Sequence, residues 1–104
     1  MKQISILVPK GAVALSCIEG PFVLFTKVND FLESVGKPPL FTVQLVGLSK
    51  EAQVYDRFFR VTPDVPIAEA HQTDLIIIPA VNGEREEVIA KNRDFFPWIV
   101  KQNR

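Results

Sequence analysis
The chemistry-bearing residues of this chain fall in two short stretches. In "SCIEGPF", residues 16–22, Cys17 and Glu19 stand just ahead of a Gly20-Pro21 pair. In "DLIIIPAVNGEREEV", residues 74–88, Asn82 and Gly83 follow an unbroken apolar run and precede an acidic one. A thiol near the start of a helix can be activated by the positive end of the helix dipole. A free cysteine can equally be a small buried apolar residue. Glu19 offers either an acid or hydrogen-bond acceptor in a crevice, or only a favourable charge at a helix start. Asn82 and Gly83, between strand and helix, either present backbone N–H groups to a ligand or serve as a helix cap and a tight turn. The acidic residues Glu84, Glu86 and Glu87 would repel an anion there. His71, the only histidine, sits in the polar stretch "EAHQTD" without a partner at metal-ligand spacing and reads as a solvated loop residue. The chain has no G-x-G-x-x-G or G-x-x-x-x-G-K signature, so neither a nucleotide nor any other cofactor is expected.

The elements that must position these residues follow from apolar spacing and turn chemistry. Ile4–Val8 predicts a short strand running into the Pro9-Lys10-Gly11 turn. Gly20 as N-cap and Pro21 as first helical residue predict a helix. Its core-facing stripe is Phe22, Phe25, Val28, Leu32 and Val35. Gly36 ends it, and Pro38-Pro39 prevents its resumption. A second strand is expected over about 41–47. Residues 52–62 read as irregular or edge strand with Phe58, Phe59 and Val61 buried, because Pro63 and Pro66 disfavour a central strand. Leu75–Ile78 is a third strand, followed by a helix opening at Glu84. Phe96-Pro97 should break that helix, leaving a last one with Trp98, Ile99 and Val100.

Strand, helix, strand, excursion, strand, helix is the order of an α/β sheet with helices on its faces. Parallel strands covered on both sides read as continuous apolar runs, which accounts for Leu75–Ile78. Burying four such side chains contributes roughly 6–12 kcal/mol, at ~1.5–3 each. The next parallel strand would begin after residue 104, so this apolar strand is expected at an open edge. Such an edge invites pairing with another chain. The 104 residues are therefore expected to be the first part of a larger α/β domain that dimerises.

The whole-chain balance narrows the function classes. Twelve basic and twelve acidic residues cancel, so nothing here makes the basic footprint of a nucleic-acid surface. One cysteine rules out an internal disulfide framework and fits a reducing compartment. No stretch approaches the ~20 apolar residues needed to cross a bilayer. A cytoplasmic protein without a membrane partner is expected.

"ISILVPKG", "IEGPFVLF", "FRVTPDVPIAEA", "TDLIIIPAVNG" and "NRDFFPWI" resemble, in this order, the amino-terminal half of the PfpI-like, class I glutamine-amidotransferase-like domain. Within that superfamily the chain is most similar to the amino-terminal domain of AraC-family transcriptional regulators. The resemblance implies a flavodoxin-like three-layer α/β sandwich with a mostly parallel sheet, of which residues 1–104 are the amino-terminal part. It also implies a homodimer that senses a small-molecule effector without catalysis. DNA would be bound only through a downstream helix-turn-helix domain that this sequence lacks. Cys17, Glu19, Asn82 and Gly83 are the candidate ligand-binding residues. The alternative is a PfpI-like cysteine hydrolase, hydratase or deglycase whose nucleophile lies beyond residue 104. Catalytic relatives commonly carry an acid four places before the helix-opening proline, where this chain has Cys17. They also carry paired glycines after the strand, where it has Pro79-Ala80-Val81-Asn82-Gly83.

Overall fold
The computed structural model describes residues 1–55, 57–70, 72–82 and 84–102. Its centre is β1 (Lys2–Val8), whose residues Ile4 to Val8 are all buried. A strand with no exposed face must have a layer on each side, and it has. Ile4, Ile6 and Val8 turn toward α1 (Ser16–Ser34) together with Ile18, Phe25 and Tyr55. Leu7 turns to the opposite layer, where it packs with Val46, Phe95 and Trp98. That second layer is made by α2 (Arg85–Asn92) and α3 (Phe95–Gln102).

β1 pairs in parallel with β3 (Phe41–Gly47) on one side and with β7 (Leu75–Ile77) on the other. β6 (Val65–Pro66) continues the sheet beyond β3, giving the order β6-β3-β1-β7, all parallel. Pro66 is thus on an edge strand, where a missing N–H is tolerated. Two small ribbons complete the chain. β2 (Ala12–Val13) pairs antiparallel with β8 (Val81–Asn82), and β4 (Gln53–Tyr55) with β5 (Phe59–Val61). The mostly parallel, three-layer α/β fold expected from the sequence is the one observed.

Side-chain amides and carboxylates set where the strands start. Asn29 on α1 accepts from the Leu40 and Phe41 N–H groups, each at 3.0 Å, and donates to the Phe41 carbonyl at 2.7 Å. Asp64 accepts from the Leu45 N–H at 2.7 Å while its own N–H donates to the Leu45 carbonyl. Asp74 does the same with Gln3 at 2.8 Å. Each of these groups imitates a backbone ladder partner just before β3, β6 and β7, and so fixes register.

Several expectations need correction. α1 begins at Ser16, with Leu15 as cap, so Gly20 and Pro21 lie inside it. The Ala14 and Leu15 carbonyls accept from the Cys17, Ile18 and Glu19 N–H groups, which starts the helix earlier. Pro21 removes one helical bond near that end without stopping it. Of the expected stripe, Phe22 and Val35 are exposed, and the one fully buried residue of α1 is Ile18. Gly36, at φ +79°, does end the helix. Phe58 and Phe59 are 83% and 52% exposed, whereas Tyr55 is buried. Two three-residue strands cannot cover both of their faces, and the tertiary contact falls to Tyr55. The break before α3 comes after Asn92, so Phe96 and Pro97 are helical. Pro97 occupies the first turn, where N–H groups have no helical acceptor. Leu75 and Ile78 are 45% and 62% exposed, in keeping with the expected open edge: among the described residues β7 pairs only with β1, and it ends at Ile77 rather than Ile78.

A polar chain threads the layer between β1 and α3. Gln44 Nε2 donates to Ser5 Oγ at 2.9 Å, and Ser5 Oγ donates to Thr73 Oγ1 at 2.9 Å. Thr73 Oγ1 reaches the Gln3 carbonyl, and its N–H donates to Gln102 Oε1. All three side chains are buried. Thr73→Val would leave the buried Ser5 hydroxyl without its acceptor, and a buried unsatisfied group costs about 1–3 kcal/mol. Urea denaturation of Thr73→Val is expected to show a loss of that size, and Thr73→Ser, which keeps the accepting hydroxyl, a smaller one.

Candidate functional site
The carboxyl ends of β1 and β3 and the start of α1 meet at one end of the sheet. The turn after β1 is fixed there from both layers. From the α1 side, the Tyr55 hydroxyl donates to the Pro9 carbonyl at 2.6 Å. From the other side, Asn92 Oδ1 accepts from the Lys10 N–H at 2.7 Å while its Nδ2 donates to the Lys10 carbonyl at 2.9 Å. Gly11, at φ +104°, then takes a backbone conformation that side chains disfavour. This turn feeds β2, whose pairing with β8 sets Ala12 opposite Asn82 and Val13 opposite Val81. The Ala14 N–H donates to the Ala80 carbonyl, and the Cys17 N–H to the Ala14 carbonyl. One hydrogen-bonded strip therefore runs from the segment after β7 into the first turn of α1.

The four candidate residues separate within this region. The Cys17 backbone and the Asn82 backbone belong to the strip, with the Cys17 side chain half-buried and its thiol free. Gly83 and His71 lie outside the described residues. Glu19 is exposed and points to a different feature. It lines a depression of about 290 Å³ together with Ile18, Phe22, Leu45, Arg60 and Thr62. The floor is apolar, and one carboxylate and one guanidinium stand among its lining groups. Such a surface suits a small amphiphilic molecule carrying a charged group, since apolar area supplies affinity and a few polar groups supply orientation. Cys17 does not line it.

Sequence reasoning missed Arg60, Thr62, Tyr55 and Asn92. Arg60 and Thr62 come from the 52–62 excursion, whose place beside α1 is set by long-range packing and has no local signature. Asn92 gave one signal: an amide at the end of an amphipathic helix, close before a break.

The Tyr55 phenol is almost fully buried, and that burial raises its pKa well above the ordinary value. An unfolded chain releases this proton near pH 10, while the folded chain holds it to higher pH. Between the two values the unfolded state binds fewer protons, so stability falls as pH rises past about 10. Urea midpoints measured from pH 8 to 11 are expected to show this fall. Tyr55→Phe should lower stability at pH 8 by about 1 kcal/mol, the usual net value of one hydrogen bond, and flatten the alkaline decline. An unchanged slope in the variant would show that the phenol does not carry it.

No protein-family model matches the chain, and no curated protein matches it either. Solved structures do. One, described as a "putative transcriptional regulator protein" from Vibrio parahaemolyticus, superposes with a TM-score of 0.74 at 20% identity. The similarity covers 98% of this chain and 51% of that one. A DJ-1 superfamily protein from Agrobacterium tumefaciens gives a TM-score of 0.51 at 12% identity, over 92% of this chain and 50% of its own. The chain thus spans about half the length of each neighbour. At these identities the likeness establishes the fold alone: a flavodoxin-like α/β arrangement with a mostly parallel sheet.

Proposed function
We propose that the chain is the effector-sensing and dimerising part of an AraC-family transcriptional regulator, non-catalytic in itself and acting in the cytoplasm. Its DNA-binding helix-turn-helix domain would lie elsewhere in the polypeptide. The observation that carries this reading is the correspondence, over 98% of the chain, with a structure described as a "putative transcriptional regulator protein". Cys17 at the place where catalytic relatives of the PfpI type have an acid supports it.

In this reading a small effector enters the depression between α1 and β5. Its apolar part meets Ile18, Phe22 and Leu45, and its charged group meets Glu19 or Arg60. Occupancy changes how α1 and the β4–β5 hairpin sit together. An effector that binds one arrangement of the dimer better than another shifts the population between them, and the DNA-binding region reads that shift. The likeness to a DJ-1 superfamily protein favours a second reading, a PfpI-like hydrolase, hydratase or deglycase with its cysteine nucleophile beyond residue 104.

The intact protein encoded by the gene separates the two. For the regulator, chromatin capture is expected to recover discrete promoter sites, and the purified protein to turn over no amide or glyoxal-adduct substrate. Arg60→Ala should raise the effector concentration for half-response by about tenfold, the value of a lost charged contact near 1.4 kcal/mol, with DNA affinity unchanged. Turnover abolished by thiol alkylation, in a protein that binds no DNA, would establish the enzyme instead.

A further inference from the structure
The depression between α1 and β5 carries two opposite charges that do not meet. Glu19 and Arg60 both line it, and both are exposed. Among the described residues ion pairs join Lys50 to Glu69 and Lys91 to Glu87, and none joins Glu19 to Arg60. A surface pair between them would gain little, so a ligand that takes the place of that pair has little to overcome.

Local geometry sets the two charges on facing walls. Leu15, Ile18, Glu19 and Phe22 recur at spacings of three and four, which makes them one side of α1. Across from them, Arg60 and Thr62 are two residues apart, and the alternation of an extended chain puts both on one side of it. Between these walls the floor is apolar. Leu15, Leu45 and Val61 are partly buried there against the core that contains Ile18. A negative group, a positive group and a hydroxyl thus surround an aliphatic floor with one aromatic ring, Phe22, at its side.

We infer that this depression binds a zwitterion with an apolar body, namely an α-amino acid with an aliphatic or aromatic side chain. The inference rests on the reading of the depression as the effector site, and it names the class of effector. Arg60 holds the carboxylate, since the guanidinium fork matches both carboxylate oxygens, with the Thr62 hydroxyl beside it. Glu19 holds the ammonium group, and the side chain lies on Ile18, Leu45 and Phe22. Charge complementarity excludes the simpler ligands. A plain carboxylate would bring a like charge toward Glu19, and a plain amine would bring one toward Arg60. A neutral apolar molecule would strip water from both charges and return nothing to them. At about 290 Å³ the depression lies at the small end of ligand pockets, which run from roughly 300 to 1,000 Å³. That space fits one amino acid, not a peptide or a nucleotide.

Calorimetric titration of the intact protein tests the inference. The probes are L-leucine and L-phenylalanine, their analogues without the ammonium group (isocaproate and hydrocinnamate), and those without the carboxylate (isoamylamine and phenethylamine). Saturable binding of leucine or phenylalanine is expected, with the matching single-charge analogues roughly ten- to hundredfold weaker. Glu19→Gln should abolish the preference for the amino acid over its carboxylate analogue and keep the preference over its amine analogue. Arg60→Gln should do the opposite. Both side chains are exposed, and a ratio of affinities within one variant does not depend on that variant's stability. The inference is overturned if neither amino acid binds, if an analogue binds as tightly as its parent, or if either variant weakens all the probes equally. Selective binding of the amino acid in a protein that occupies no promoter would sink the regulator reading and leave the ligand class standing. Promoter occupancy in a protein that binds neither amino acid would do the reverse.

Discussion
β1 is a strand hydrogen-bonded along both edges and covered on both faces, and every other element is placed by reference to it. Its two sets of side chains belong to different cores. Ile4, Ile6 and Val8 hold α1, and Leu7 holds α3. At about 1.5–3 kcal/mol for each large aliphatic side chain buried, these four residues contribute as much as the net stability of a typical small domain. The same constraint admits one exception in the strand. Ser5 is buried among apolar neighbours only because Gln44 and Thr73 satisfy its hydroxyl.

Parallel strands cannot be joined by tight hairpins, so their register must come from elsewhere. Here it comes from short amide and carboxylate side chains that occupy ladder positions: Asn29 before β3, Asp64 before β6 and Asp74 before β7. Asn92 plays the matching part at the exit of β1, where it holds both backbone groups of Lys10. With Tyr55 on the opposite side, this rigid turn determines how the chain enters α1. The depression that Glu19 and Arg60 line therefore lies between α1, whose entry is fixed by this turn, and β5 of the β4–β5 hairpin.

A shared fold does not settle chemistry. The α/β scaffold is common to proteins described in quite different terms, and what distinguishes them is the set of groups at the strand ends. In this chain that set consists of a half-buried thiol on α1, a backbone strip between β2 and β8, and an amphiphilic depression to one side. The last combines an apolar floor with a carboxylate and a guanidinium.

Much of the scaffold was legible in the residues themselves. The uninterrupted apolar run Leu75–Ile78 announced a parallel sheet with layers on both faces, and Gly36 announced the end of α1. These are local or periodic signals, and local sterics decide them. The start of α1 was not legible, because Gly20-Pro21 looks like a helix boundary unless the carbonyls of Ala14 and Leu15 are known to be in place. Nor was the fate of Phe58 and Tyr55, or the placing of Glu19 and Arg60 on one depression. Each of those depends on contacts between segments dozens of residues apart, and only packing in three dimensions chooses which of several apolar side chains is covered.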